Sequence, residues 1–250
     1  MSMSLDTSRT VADRFLSLLD SETERGRFRT AMEALAEWQE LFVGKRVLDF
    51  GCSWGTSVIA LACLGAAEVR GVEPDADRVT HGKQFLAALG LDQRASLAHL
   101  SDTQALPFDI ASFDVVLANA VFEHIPQPRG SYIKEVWRVL KPGGALIVNE
   151  TPNKYFPKEV HTTGLWCNHW LPKRQAFERA RRHGRFEGDY EDWQTSGWRG
   201  LGYYELAGEL DRAELLPERS RGRHRLLSAL GLPASLFDPY PVWIFRKRVA

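Results

Sequence analysis

Val47-Leu-Asp-Phe-Gly-Cys-Ser-Trp-Gly-Thr-Ser57 runs an apolar strand into Asp49 and then into a loop of small residues that opens a helical pattern. Small residues in such a loop let backbone come within contact distance of a ligand. The next apolar run, Glu68-Val-Arg-Gly-Val72, ends in Glu73, eighteen residues after Gly55. In a doubly wound α/β domain, an acid at that point meets the ribose hydroxyls of a nucleoside ligand. Working outward, short apolar runs at 46–50, 68–72, 114–118 and 145–149 alternate with longer stretches of helical spacing. That alternation predicts βαβ units and a parallel sheet covered on both faces. Right-handed crossovers then bring the loops after the strands to one edge, where Asp49, Glu73, Asp102 and Asn119 converge.

The glycines narrow the ligand. A dinucleotide fingerprint reads Gly-x-Gly-x-x-Gly, but after Gly51 those places hold Ser53 and Thr56, and Gly55 is out of register. A dehydrogenase is therefore disfavoured. Asp49-x-Gly51-x-x-x-Gly55 resembles the first motif of class I S-adenosylmethionine-dependent methyltransferases, with Ser53 in place of the usual middle glycine. Leu100-Ser-Asp-Thr-Gln-Ala-Leu-Pro-Phe108 resembles the third motif, Ser112–Ile125 the fourth strand with the start of its helix, and Arg138–Val148 the helix, turn and fifth strand. On these four motifs, in family order over about residues 40–152, the chain is identified as resembling the small-molecule (type 11-like) group of that family. The resemblance implies a seven-stranded, mostly parallel, Rossmann-like sheet and S-adenosylmethionine as cofactor. It implies a cofactor site at Asp49, Gly51, Cys52, Ser53, Gly55, Glu73, Asp102, Thr103 and Asn119, with Asp102 facing the adenine amino group.

A chain of 250 residues with 44% hydrophobic content buries one substantial core and exceeds a minimal domain of this kind. A single domain is expected, divided into an N-terminal helical cap (1–44), a cofactor-binding core (45–150), an acceptor-side insertion with helices (151–240) and a terminal strand (241–250). Helical spacing in Val11–Leu19 and Arg27–Leu41 predicts two helices before the first strand, either covering the cofactor cleft or simply packing on the sheet. After the fifth strand, 151–172 carries three prolines with Tyr155, Phe156, Trp166 and Trp170 and no sustained period, and reads as an acceptor-binding wall or lid. A helix is expected from Lys173 to about His183, a polar tryptophan-bearing loop over Arg185–Arg199, a helix over Leu201–Leu215, and an antiparallel strand in Pro241–Arg248. The basic run Arg219–Arg225 reads as a solvated loop, or in a sharper reading as an anion site for a phosphate-bearing acceptor.

Methyl transfer from a sulfonium is an in-line displacement, for which alignment is the main requirement, and an oxygen nucleophile also has to lose its proton. Histidine is the default base. His124, just after the fourth strand, and His161 and His169, in the insertion, are the catalytic candidates, each with a structural alternative. Some relatives hold a divalent ion with Glu-x-x-Glu-His and a later histidine. Here Ala120 replaces the first glutamate, leaving Glu123 and His124, which His161 or His169 could still join around an ion; with the acidic pattern broken, no metal is expected and turnover should survive a chelator.

Cys52, Cys63 and Cys167 form no paired spacing, which suits a reducing compartment. Neither a signal peptide nor a membrane-spanning run is read, and a formal net charge of zero argues against generic nucleic-acid binding. The expected protein is a cytoplasmic methyltransferase acting on a small or lipid- or sugar-linked acceptor at oxygen. The alternatives are an RNA or protein methyltransferase and a SAM-binding partner without turnover.

Overall fold

The structure, a computed structural model, describes residues 5–216 and 238–249. Seven strands form one sheet in the order β3-β2-β1-β4-β5-β7-β6. They are β1 (Arg46–Phe50), β2 (Glu68–Glu73), β3 (Ala95–His99), β4 (Phe113–Asn119), β5 (Leu140–Asn149), β6 (Ala213–Leu215) and β7 (Trp243–Lys247). The first five run parallel, with Asp49 opposite Gly71 on one side and Leu117 on the other. β7 pairs antiparallel with both β5 and β6. The chain winds outward from β1 to β3 and returns to β4 beside β1, so the order reverses between β1 and β4. The loops leaving those two strands diverge there, which opens the crevice where such sheets bind ligands.

β1 and β4 read as continuous apolar runs because both faces of the sheet are covered. On one face, α1 (Leu5–Leu18), α2 (Glu22–Ala36), α4 (Thr56–Cys63) and α5 (Ala76–Leu89) bury Phe15, Phe28, Ile59 and Leu86 against Val47 and Val115. A short α3 (Gln39–Phe42) leads into β1. α2 starts at a reciprocal cap, in which the Ser21 hydroxyl accepts the Glu24 N–H and the Glu24 carboxylate accepts the Ser21 N–H. Phe15 meets Phe28 and Phe85 edge to face, at ring separations of 4.8 and 5.2 Å. The N-terminal helices therefore pack on this layer, the simpler of their two readings. On the other face, α6 (Gly130–Val139) and α9 (Tyr203–Ala207) bury Ile133, Trp137 and Leu206 against Leu48, Val116 and Phe245.

The structure corrects the sequence reading in two places and gives bounds to β3, the strand that the placing of Asp102 at a strand end required but that no apolar run had marked. Arg185–Arg199 is not simply a loop: it contains α8 (Tyr190–Thr195), and Trp193 and Trp198 stack at 4.9 Å in a small core of their own with α7 (Lys173–Arg182). Leu201–Leu215 is not one helix. Gly202 and Gly208, poor helix formers, bracket α9, after which the chain turns at Arg212 (φ 52°) to add β6 to the open edge of β7. The basic run Arg219–Arg225 lies outside the described residues. Among those residues, no helix is long and apolar enough to cross a membrane.

Candidate functional site

The site begins where β1 stops. Gly51, at φ 77°, donates its N–H to the Val72 carbonyl at 2.9 Å, and a Cβ there would come within 2.6 Å of a Val121 methyl. Only glycine fits, since both the positive φ and the close approach exclude a side chain. The same contact ties the loop after β1 to the loop after β4. Ser53 also has a positive φ, 49°, and its N–H donates to Glu73 Oε2 at 2.9 Å. Gly55, at φ 83°, begins α4. Cys52 is buried, and burial pushes its thiol above the ordinary range, so it packs rather than reacts.

Two acids stand side by side under this loop. Asp49 is 1% exposed and its Oδ2 has no hydrogen-bond partner among the described residues. Burial, and after it the charge of Glu73, raises its pKa from 3.8 to about 7. Glu73, also buried, accepts the Ser53 N–H on one oxygen and the Asp75 N–H on the other, at 3.3 Å. Asp102 is exposed, three residues past β3, and its carboxylate accepts the Gln104 N–H at 2.8 Å; Thr103 beside it is half-buried. That loop is braced by α6: Glu135 accepts the Leu106 N–H, and Arg138 donates to Glu135 and to the carbonyls of Leu106 and Phe108. Asn119 joins the ends of β4 and β5, donating to Glu150 at 3.0 Å and accepting from Asn149 at 2.8 Å.

The three histidines do not gather. His124 and His161 stand edge to face with ring centres 5.2 Å apart, whereas His169 is buried against Trp170, beside a small cavity it lines with Trp198 and Arg199, and neither of its ring nitrogens has a hydrogen-bond partner among the described residues. His124 Nδ1 meets the Thr195 carbonyl at 2.7 Å. Burial, followed by His124, holds His161 below the usual histidine range, so near neutral pH it is an uncharged imidazole with a lone pair to offer. Glu123 completes this group with its side chain fully enclosed, and burial raises its pKa.

Beside Glu123 opens a cavity of about 190 Å³, lined also by Ile125, Gln127, Arg129, Lys173, Gln194, Trp198 and Arg199. It is more polar than an aromatic wall. Trp166 and Trp170, read from sequence as ring-binding faces, are 62% and 53% exposed, and Trp198 lines the cavity instead, with the Arg199 guanidinium 4.4 Å over its ring. Arg129, buried, donates to the Gly200 carbonyl and pairs with Glu205. Sequence reasoning held Glu123 only as a possible ion ligand beside His124, and missed Arg129, Trp198 and Arg199. Only Glu123, adjacent to His124, carried a local signal.

Residues 48–148 match the family model described as a methyltransferase domain. The chain is 35% identical over 107 residues to cycloartenol-C-24-methyltransferase 1 of Oryza sativa subsp. japonica, covering 43% of this chain and 30% of that protein. It is 33% identical over 132 residues to methyltransferase GfsG of Streptomyces halstedii, covering 53% and 46%. The matched region thus spans less than half the length of these curated relatives. Among solved structures, the PH0226 protein of Pyrococcus horikoshii OT3 superposes with a TM-score of 0.59 at 18% identity, covering 92% of this chain and 93% of that one. Geranyl diphosphate C-methyltransferase from Streptomyces coelicolor A3(2), solved with Mg2+, geranyl diphosphate and S-adenosyl-L-homocysteine, gives 0.57 at 15%, covering 86% and 77%. At such identities the likeness is one of fold.

Proposed function

We propose that the chain, whose residues 48–148 match a methyltransferase-domain model, transfers a methyl group from S-adenosylmethionine to an oxygen of a small acceptor carrying a polar or anionic part. The observation that carries this reading is the contact between the loop after β1 and Val121, two residues before Glu123. Through it the cofactor loop adjoins the cavity and the Glu123, His124 and His161 group.

The residues fit the cofactor. S-adenosylmethionine is cationic at its ammonium and sulfonium, and Asp49 offers a buried carboxylate oxygen that no group among the described residues satisfies. It also carries a ribose diol, and Glu73 sits where a doubly wound fold meets one. When bound, the cofactor supplies an electrophilic methyl; the chain's own residues hold, orient and desolvate. Gly51 admits close backbone approach, and Asp102 and Asn119 stand at the ends of β3 and β4 as the family resemblance requires. On the acceptor side, Arg129, Lys173 and Arg199 bring positive charge to the cavity, which favours a phosphate, carboxylate or sugar-linked acceptor over a purely apolar one. In this reading Glu123, His124 and His161 orient a hydroxyl and relieve it of its proton, whereas His169 packs beside Trp170, apart from them.

The test is to incubate the protein with a cell extract and isotopically labelled S-adenosylmethionine and to identify labelled products by mass spectrometry and carbon NMR. A labelled small molecule with a methoxy resonance is expected. A methyl on carbon would move the acceptor atom, and label found only in RNA or protein would replace the acceptor class. Absence of both product and cofactor binding would refute the reading.

A further inference from the structure

Glu123 is left incomplete by the described residues around it. Its Oε2 accepts the Thr151 hydroxyl at 3.1 Å, but its Oε1 is buried without a hydrogen-bond partner and faces His124 Nε2 from 3.9 Å. That separation is too long for a hydrogen bond. The Thr195 carbonyl can only accept, so His124 Nδ1 carries a proton, and the tautomer with Nε2 free turns that nitrogen's lone pair toward Glu123. His161 closes the third side. Gly197, at φ 79°, is pressed against it so tightly that a Cβ would lie 2.8 Å from His161 Nε2 and 3.1 Å from Glu123 Cγ. One ligand atom from each of Glu123, His124 and His161 falls within 4.8 Å of the other two. The nearest guanidinium, Arg129, reaches Glu123 at its backbone carbonyl (3.4 Å) and not at Oε1, so a positive charge arriving between this oxygen and the two imidazoles would meet an unsatisfied acceptor.

We propose that Glu123, His124 and His161 hold a divalent transition ion of the zinc or manganese(II) class, with its remaining positions open on the exposed side of the two imidazoles. Two nitrogens and one carboxylate oxygen suit such ions better than magnesium or calcium, which prefer all-oxygen sets. Bonds of about 2.1 Å put ligand atoms of a tetrahedral set about 3.4 Å apart, so the group must close by roughly an ångström. Rotation of two exposed rings supplies that. Thr151 on Glu123 and the Thr195 carbonyl on His124 are the outer partners that orient metal ligands. The proposal departs from the expectation read from Ala120, because a carboxylate and two histidines make a three-point site without a residue at that position.

For its role, the ion rests on the methyl-transfer reading: it would ligate the acceptor hydroxyl and lower its pKa, so that the proton passes to water. The oxygen–methyl bond then forms as the sulfur–methyl bond breaks, and the electron pair stays on sulfur, which becomes a neutral thioether.

Untagged protein, stripped with chelator and exchanged into chelator-free buffer, is titrated with zinc and manganese(II) by calorimetry and with cobalt(II) by visible absorption. One saturable site is expected, weakened at least about tenfold by His124→Ala and by His161→Ala, each the loss of a direct ligand, and unchanged by His183→Ala on the surface of α7. Glu123→Gln, provided it folds, should weaken binding likewise. Absence of saturable binding, or an affinity that both histidine variants leave unchanged, overturns the proposal. S-adenosylmethionine affinity measured on the same samples separates the two claims: cofactor binding without a metal site sinks only the ion, whereas loss of cofactor binding sinks the methyl-transfer reading.

Discussion

Asp49→Asn tests the electrostatics of the site at its most sensitive point. The substitution keeps shape and removes a carboxyl that is 1% exposed, has an unpartnered Oδ2 and is pushed up to about 7 by burial and then by Glu73. A folded-state pKa above the unfolded one means that the folded chain holds this proton more tightly. The associated stability is fully present below about pH 4 and is lost as pH rises through 7. Raising the pKa from 3.8 to about 7 corresponds to on the order of 4 kcal/mol, a large share of the roughly 5–15 kcal/mol that holds a typical domain. Urea denaturation of the cofactor-free protein from pH 4.5 to 8 reads it directly. Other groups titrate in that range as well, so the quantity to follow is the difference between wild type and variant. The expected result is near-equal stability at the acid end, a growing advantage for Asp49→Asn toward pH 8, and at pH 8 weaker binding of S-adenosylmethionine by the variant. The cofactor-free protein would then be strained by a charge that only a cationic ligand relieves. Parallel pH curves for the two proteins, differing by a constant within about 1 kcal/mol, would show that water or another group already satisfies Asp49 and would refute the reasoning.

Glu73→Ala should weaken S-adenosylmethionine binding at least about tenfold, since each charge-assisted hydrogen bond contributes roughly 1.5–3 kcal/mol; unchanged affinity in calorimetry would remove Glu73 from the site. Gly51→Ala brings a Cβ within 2.6 Å of Val121 at φ 77°, and the overpacking should cost about 1–3 kcal/mol and lower cofactor affinity; a thermal melt and a titration that both match wild type would contradict the close approach. His161→Ala should reduce methyl transfer far more than cofactor binding, and His169→Ala less so, because His169 is buried apart from the Glu123 group. Full transfer rates in both variants would make the whole insertion structural and move the acceptor elsewhere.

What the amino-acid sequence determined by itself is the half of the molecule whose signals are local. A strand buried on both faces must be apolar throughout, a ligand loop must be small, and an acid at a strand end needs only its neighbours to be recognised. Asp49, Gly51, Gly55 and Glu73 could therefore be read as neighbours around one loop, as the structure has them, and four of the five parallel strands could be placed within a few residues. β3, Ala-Ser-Leu-Ala-His, is too short and mixed to stand out, and β6 exists because β7 offers an unpaired edge, a demand that Leu201–Leu215 does not carry within itself. The acceptor side lay beyond local reading altogether. Glu123 and His161 are 38 positions apart in the sequence, Trp198 and Arg199 come from a stretch read as loop, and equal suspicion fell on His161 and His169. Only tertiary packing, with Gly197 pressed between Glu123 and His161 and His169 buried against Trp170, decided which of these side chains come together, because contacts between distant segments are set by how whole layers fit and not by the period of any one of them.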